Sequence, residues 1–237
     1  MPNERPTYRI FVTAFTDFLA VAIHTILYER KIYPETAFIS AKKYNFPVRQ
    51  NRHPKVCEWI NDAINAVEIE LFKGTVERVA VVIYSKQAKP LERVVFDVSR
   101  FPVVPSSQID VPLERVEADG SQAVILPIVD LEEQLRATMS RLSNCGSSLR
   151  TLAPGCSFTV AIELRAQSEA PLKHPQPWVP AERQSNSQGE ESEAQTRTVP
   201  VRSVAAGEMI FETWLEELED QNSTASSQST AGYSDSF

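Results

Sequence analysis

Apolar residues recur at three- and four-residue spacing over residues 8–30, which predicts a long helix. The chain contains neither proline nor glycine between Tyr8 and Tyr33. The opposite face of this helix is also poor in charge, a pattern typical of a helix covered on more than one side. Because the residue before a proline is disfavoured in the helical region, Tyr33-Pro34 should end it. The apolar positions are Phe11, Phe15, Phe18, Leu19, Ala22, Ile23, Ile26 and Leu27.

A second helix is predicted to start at Pro54, where the missing N–H of proline costs nothing. Its apolar stripe is followed by Gly74, a natural helix terminator. The preceding stretch, residues 35–53, is basic, and we expect it to be irregular with short strand potential. The stripe of the second helix consists of Val56, Ile60, Ala63, Ile64, Val67 and Leu71.

Two β-rich runs, residues 76–84 and 92–98, are separated by a short polar turn and predict a hairpin. Residues 101–129 hold several prolines and Asp119-Gly120, which indicates a long loop. A third helix should then be capped by Asp130, with Glu133 completing a capping-box arrangement and Gly146 closing the helix. Its predicted stripe is Leu131, Leu135, Met139 and Leu142.

Clean alternation over residues 157–165 predicts a half-buried strand. Residues 166–197 are rich in Ser, Gln, Glu and Pro, and without the apolar island at 177–179 they would be typical of a disordered linker. Residues 198–204 and 209–218 are again more apolar, and alternation favours a strand over 209–218. Residues 221–237 are expected to be disordered. Helices and strands in segregated runs predict the α+β class rather than a repeating βαβ design.

The bulk composition describes an ordinary globular chain of 237 residues with 42% hydrophobic residues, 23% charged residues and a net charge of -7. The negative charge argues weakly against direct duplex binding, which depends on Lys and Arg neutralising phosphates. Three cysteines without a C-x-x-C spacing favour a reducing compartment. The apolar run over residues 18–27 is too short to cross a bilayer, so we expect no membrane association and a nuclear or cytoplasmic protein.

Motifs of catalysis are missing from the sequence. There is no phosphate-binding glycine loop, and His24, His53 and His174 are too far apart for a zinc site. We interpret His24 as a hydrogen-bonded core histidine and Cys57 as an ordinary thiol rather than a nucleophile. The adjacent pairs Glu132-Glu133 and Glu216-Glu217 are interpreted as solvated surface. We therefore expect neither enzymatic activity nor a cofactor or metal.

The three tryptophans are more informative. Trp59 should lie at the edge of the second helix's stripe, where a core-edge role and a partner contact are equally plausible. Trp178 lies in solvating sequence, so either the domain itself or a ligand must bury it. If Phe211 and Leu215 face the core, alternation places Trp214 on the opposite face, exposed as at a binding surface.

Several segments together resemble the HORMA-domain family. Residues 18–34, FLAVAIHTILYERKIYP, look like the first helix of that family. Residues 43–48 with His53-Pro54, residues 154–160 and Pro177-Trp178 are similar to the branch that forms the noncatalytic accessory subunits of translesion DNA polymerase zeta. The resemblance covers about residues 8–217, apart from the 101–129 loop and residues 184–196, which look longer here than is usual.

This resemblance implies a HORMA domain over residues 8–217, with three helices packed on a mainly antiparallel sheet. A core of residues 8–165 would be followed by a mobile "safety belt", residues 166–217, and a disordered tail, residues 218–237. The belt closes over a short partner peptide that adds a strand to the sheet edge. The resemblance implies a nuclear adaptor in DNA damage tolerance, and the cytoplasm stays open as a further location.

The resemblance also implies partner sites. Tyr33, Trp59 and Trp178 match aromatics that contact a peptide of the polymerase catalytic subunit, although Trp59 replaces a more usual Tyr. Thr198, Glu212 and Trp214 match positions that contact the C-terminal domain of the deoxycytidyl-transferase scaffold polymerase, where Leu, Gln and Tyr are more usual.

Arg136 matches an arginine of the HORMA dimer surface, for which a solvated helix arginine is an equally good interpretation. Homodimer or HORMA heterodimer, and release by an AAA+ remodelling ATPase, are left open. No sequence-specific nucleic acid binding is expected. The alternative function is that of a HORMA adaptor in the spindle checkpoint or the meiotic chromosome axis.

Overall fold

A computed structural model describes residues 6–113, 127–166, 168, 171, 178 and 196–218. Much of the predicted polar segment, half of the 101–129 loop, His174 and the predicted disordered tail beyond Leu218 lie outside these residues. The described chain contains the helices α1 (Tyr8–Glu29), α2 (Pro54–Phe72) and α3 (Ile128–Leu142). Its strands are β1 (Phe38–Lys43), β2 (Phe46–Asn51), β3 (Val76–Tyr84), β4 (Pro90–Asp97), β5 (Ser157–Leu164), β6 (Thr196–Ala206) and β7 (Met209–Leu218).

Helix α1 is the centre of the core, as its apolar surface predicts. Its phenylalanines meet the sheet edge-on or tilted: Phe18 lies 6.0 Å from the ring of Phe96 on β4, and Phe15 lies 5.3 Å from Phe211 on β7. By length and composition alone the helix could cross a membrane, but 67% of its most apolar 18-residue stretch is buried inside the domain. Its length is explained by this role as a core helix.

The main sheet has five antiparallel strands in the order β5-β3-β4-β7-β6. The three helices contribute to the core on one face, together with buried residues of every strand. On the other face a small cluster of Ala80, Val82 and Val95 is packed by Tyr84, Ala161 and Trp214. The predicted α+β class, with three helices and a mainly antiparallel sheet in the described chain, is confirmed.

The stretch predicted to be irregular with short strand potential folds as a second, two-stranded sheet. Strands β1 and β2 pair over six register positions, from Phe38 opposite Asn51 to Lys43 opposite Phe46. The turn between them holds Tyr44 and Asn45, both with positive φ (52° and 54°). Such a tight turn matches the twist of a hairpin, but it usually carries glycine at its second position, which is why the sequence signal is weak here.

The predicted cap of the third helix is wrong. The helix begins at Ile128, Pro127 holds the cap position without a side-chain hydrogen bond, and Asp130 lies inside the first turn. There its negative charge interacts favourably with the positive end of the helix dipole, although its side chain caps no backbone N–H. Glu133 pairs with Arg136 at 3.6 Å instead of completing a capping box. The helix also ends at Leu142, before Gly146.

Candidate functional site

Strand β5 forms one edge of the five-stranded sheet, and within the described residues only β3 pairs with it. The next strand along the chain, β6, forms the opposite edge. Strands lie about 4.8 Å apart, so the four intervals between β5 and β6 amount to roughly 19 Å. The chain that joins Leu164 to Thr196 therefore has to connect the two opposite edges of the sheet.

An aromatic cluster lies beside the β5 edge. Phe158 of β5 is at its centre, because Trp59 of α2 contacts the Phe158 ring edge-on at 4.9 Å and Tyr33 does so at 6.4 Å. Trp59 keeps 41% of its surface exposed, and Tyr33 and Phe158 are half-buried. The structure thus brings together two of the three predicted peptide-contact residues. Phe158, their common neighbour, was predicted only as a strand residue.

Trp178 is half-buried and packs against the main core. The domain itself therefore covers part of this tryptophan, which is one of the two alternatives left open by the sequence. Its indole Nε1 is buried and meets no acceptor among the described residues. A buried N–H left without an acceptor costs about 1–3 kcal/mol. Among the described side chains, no ring contact joins Trp178 to Tyr33 or Trp59.

The three residues predicted for a second partner lie on one face of the β6–β7 hairpin. Thr198 is opposite Glu216, and Glu212 and Trp214 follow at two-residue intervals on β7. This face is turned away from Phe211 and Leu215, which are buried in the core. Thr198 and Glu212 are exposed, so the structure presents both of them to solvent.

Trp214 faces away from the core as alternation predicts, but it is half-buried rather than exposed. It packs against the small cluster of Ala80, Val82 and Val95. Its indole Nε1 donates to Glu216 Oε1 at 2.8 Å, and the guanidinium of Arg78 lies 5.9 Å from its ring centre. The flat strand surface beneath a large ring provides this partial cover, which alternation alone does not reveal.

Arg136 lies on α3, and no described cation–π contact joins it to the aromatic cluster at β5 or to Trp214. Its side chain is 42% exposed and approaches Glu133, one turn earlier, at 3.6 Å. Helix α3 packs against β6, so Arg136 lies on the helix that supports the β6–β7 hairpin.

A buried ionic network joins the C-terminus of α1 to the sheet near the start of β4. Arg30, which caps α1, donates from Nε and Nη2 to the two carboxylate oxygens of Glu92 at 2.8 and 2.6 Å. The two side chains are 5% and 3% exposed. Burial raises the pKa of Glu92, while the hydrogen bonds and charge of Arg30 lower it. The guanidinium also donates to the carbonyl oxygens of Gly146 and Arg150.

Glu217 extends this network into the last hairpin, so the prediction that it is solvated surface is wrong. Glu217 is directly opposite Glu92 across β7 and β4 and is 2% exposed. It accepts from the backbone N–H of Arg150 at 2.8 Å and from Arg197 Nη1 on β6 at 3.1 Å. The signal was present in the sequence, since alternation from Phe211 through Leu215 places residue 217 on the core face.

The groups considered for chemistry are engaged in the structure. His24 Nδ1 accepts the backbone N–H of Asn51 at 3.3 Å, and burial lowers the pKa of His24. The Cys57 thiol donates to the carbonyl oxygen of Asn51 at 2.9 Å. Burial raises the pKa of Cys145 to about 11, which keeps it a thiol. In the described part of the chain, no group of three or more His, Cys, Asp or Glu residues is arranged to hold a metal.

Comparison with known proteins places these features in a family. The family model for the HORMA domain matches residues 12–208. The rat protein "Mitotic spindle assembly checkpoint protein MAD2B" is 30% identical over 91% of this chain and 94% of its own length. The Schizosaccharomyces pombe "DNA polymerase zeta processivity subunit" is 31% identical over 86% of this chain and 92% of its own length.

A solved structure of C. elegans HTP-1 bound to a HIM-3 closure motif has the same fold. It superposes with a TM-score of 0.57, covers 92% of this chain and 94% of the HTP-1 chain, and is 11% identical in sequence. At that level of identity the likeness concerns the fold alone.

Proposed function

This chain belongs to the HORMA domain family, and from that premise we propose that it is the noncatalytic adaptor subunit of DNA polymerase zeta in translesion synthesis. In this proposal it traps a peptide of the catalytic subunit and presents a second surface to the scaffold polymerase. The relative named as a polymerase zeta processivity subunit supports this choice among HORMA functions. A nuclear location follows from the same proposal.

The β5 edge, with which no described strand other than β3 pairs, is together with its aromatic cluster the observation that carries the proposal. An extended peptide that adds a strand at a sheet edge gains affinity from main-chain hydrogen bonds and specificity from side-chain pockets. Here the edge supplies the backbone groups, and Phe158 with Trp59 and Tyr33 supplies an apolar wall next to it. The 41% exposed Trp59 provides surface that a peptide would cover.

The position of the β6–β7 hairpin supports the belt in the proposal. Because β6 and β7 occupy the edge opposite β5, the chain before β6 leads from the peptide edge to the far side of the domain. Trp178 lies on this connection, and a peptide carbonyl could satisfy its buried Nε1. A peptide enclosed by the connection would dissociate slowly, and slow dissociation accounts for most gains in affinity.

The outer face of the same hairpin is proposed to bind the scaffold polymerase. Thr198, Glu212 and Trp214 share that face, on the side of the hairpin away from the core. Arg136 on α3 is proposed to take part in a HORMA dimer, with itself or a related chain. An AAA+ ATPase that pulls on the belt would reverse the trapping.

The alternative is an adaptor of the spindle checkpoint or the meiotic chromosome axis. The rat relative named as a mitotic spindle assembly checkpoint protein supports this alternative. The fold serves both functions, and the choice of peptide separates them.

The test is the release of labelled peptides from polymerase and checkpoint partners. We expect slow release of the polymerase peptide from the wild type and, because a buried aromatic anchor contributes about 2 kcal/mol or more, release from Trp178→Ala faster by roughly thirtyfold. Trp214→Ala is the matched control, since that tryptophan lies on the outer face. Retention of the checkpoint peptide alone would establish the alternative, and retention of neither would refute peptide trapping.

A further inference from the structure

Positive charge is concentrated in one short segment of an acidic protein. Residues 38–55, which form β1, β2 and the start of α2, contain five Lys and Arg residues and no Asp or Glu. The whole chain has 24 basic and 31 acidic residues, so the other 219 residues carry 19 basic and 31 acidic ones. The local sign of the surface at this segment is therefore opposite to that of the protein as a whole.

The β1–β2 ribbon presents this charge on its outer face. Near the turn, the inner face packs on the core through Val48 and Phe46, whereas at the other end of the twisted ribbon Phe38 and Asn51 are the buried pair. The outer face consists of Ser40, Lys42, Pro47 and Arg49, all exposed. Lys42 is opposite Pro47 and Ser40 is opposite Arg49, so the two cations are diagonal neighbours, about 7 Å apart at their base.

Three of the cations have no carboxylate partner in the described structure. Lys42, Arg52 and Lys55 are exposed, and no Asp or Glu of the described residues lies within ion-pair distance of them. Arg49 is exposed and rests on the ring of Tyr28 at 5.0 Å, and its charge also acts on the neighbouring carboxyl group of Glu29. Lys43, by contrast, pairs with Asp17 at 3.2 Å. Three of the five cations of residues 38–55 are thus left without an ion pair to a described carboxylate.

We propose that the outer face of the β1–β2 ribbon binds the phosphate backbone of DNA without reading its sequence. The outer face offers Lys42 and Arg49 with only Ser40 and Pro47 between them, and contacts from such cations to phosphate oxygens carry no sequence information. The surface also lacks an apolar anchor between Lys42 and Arg49, and anchored aromatic or apolar residues typify protein interfaces. Both features favour a polyanionic backbone over an acidic peptide.

The ribbon and the β5 edge belong to different sheets, so this inference and the peptide-trapping proposal can fail separately. Because Lys55 lies on α2 one turn before Trp59, the variant of Lys42 and Arg49 tests the ribbon alone. Binding through a few phosphates should be weak and strongly dependent on salt. Nonspecific affinities are typically 10⁻⁴–10⁻⁶ M at physiological salt, and for duplex DNA each phosphate contact adds about 0.9 to the slope of log K against log salt. Four cations, Lys42, Arg49, Arg52 and Lys55, predict a slope near -3 to -4 by this rule, about -0.9 for each phosphate contact.

The test is fluorescence anisotropy of a labelled 20-base-pair duplex with the full chain over a range of salt concentrations. The first variant is Lys42→Gln with Arg49→Gln, and the second is Arg52→Gln with Lys55→Gln. The matched control is Lys86→Gln with Arg100→Gln, two exposed cations outside the ribbon that change the net charge equally. Peptide retention by each variant reports separately that the fold and the trapping site are intact.

We expect each variant to bind the duplex at least about tenfold more weakly at 0.1 M salt. The slope of log K against log salt should become less negative by about 2, as loss of two phosphate contacts requires. The control should leave both quantities close to wild type. Equal weakening by the control, or an unchanged slope in the ribbon variants, would overturn the proposal. Competition by polyglutamate as effective as that by unlabelled duplex would also overturn it, in favour of an acidic peptide.

Discussion

Replacing Arg30 with methionine removes the cation of the buried ionic network while keeping most of the side-chain volume. The side chains of Arg30 and Glu92 are 5% and 3% exposed, and Glu217 is the cross-strand neighbour of Glu92. Loss of one partner from a buried pair costs about 3–5 kcal/mol, because the other charge stays buried and unpaired. We expect the free energy of unfolding in urea, followed by far-ultraviolet circular dichroism, to fall by that amount at pH 7.

The pH dependence of this loss has a definite sign. Burial already raises the pKa of Glu92 in the folded protein, and removal of Arg30 should raise it further. A carboxyl group whose folded pKa lies above its unfolded value binds more protons in the native state, so stability falls as the pH rises through the folded pKa. The destabilisation by Arg30→Met should therefore be smaller at pH 5 than at pH 7.

The exposed pair of Arg9 and Asp110 is the matched control. Arg9 donates from Nε and Nη2 to the two oxygens of Asp110 at 2.6 and 2.9 Å, the same bidentate geometry at the surface. Arg9→Met should change the unfolding free energy far less, since water screens exposed pairs. Combining Arg30→Met with Glu92→Leu should recover much of the loss. A loss at Arg30 no larger than at Arg9, or one that does not diminish at pH 5, would refute the reasoning.

Three more changes probe the hairpin, the core histidine and the peptide edge. Glu217→Gln should release a trapped peptide about tenfold faster, since weakening a buried charged hydrogen bond costs about 1–3 kcal/mol, whereas Glu216→Gln should not; equal rates in stopped-flow release would contradict this. The wild type should lose stability as the pH falls below 6.5 toward the lowered pKa of His24, and His24→Gln should abolish this pH-dependent loss. The same dependence of the urea midpoint on pH in both proteins would contradict this prediction. Phe158→Ala should weaken peptide binding in a fluorescence titration by about 2 kcal/mol, and unchanged affinity would remove the aromatic cluster from the site.

Periodicity predicts the elements of this fold well where one face is strongly buried. The helix starting at Pro54 and the alternating strand from Ser157 lie where the sequence places them, and the first helix spans the predicted residues but ends at Glu29, before the predicted end at Tyr33-Pro34. The order of strands in the sheet could not be predicted from this chain alone, because pairing depends on contacts between residues far apart in sequence. Residues 35–53 were predicted to be irregular with only short strand potential, because the turn at Tyr44 and Asn45 has no glycine and gives a weak hairpin signal.

The candidate site was predicted in a different way from the fold. Tyr33, Trp59 and Trp178 came from the resemblance to a family, since no local pattern marks an isolated aromatic as a ligand contact. Phe158, which joins Tyr33 and Trp59, looked like any other inward strand residue. Glu217 could have been predicted by extending the alternation of β7, but a charge is so rarely buried that composition suggested the surface instead.

Hydrogen exchange along β5 is the most direct measurement of whether a partner peptide adds a strand to this sheet. In an antiparallel strand, alternate amides face each neighbour, so in the free protein those turned away from β3 should exchange faster than those paired with it. With the polymerase peptide bound, alternate amides of Ser157–Leu164 should become strongly protected. Peptide binding that leaves the exchange of β5 unchanged would contradict the account and locate the partner elsewhere on the domain.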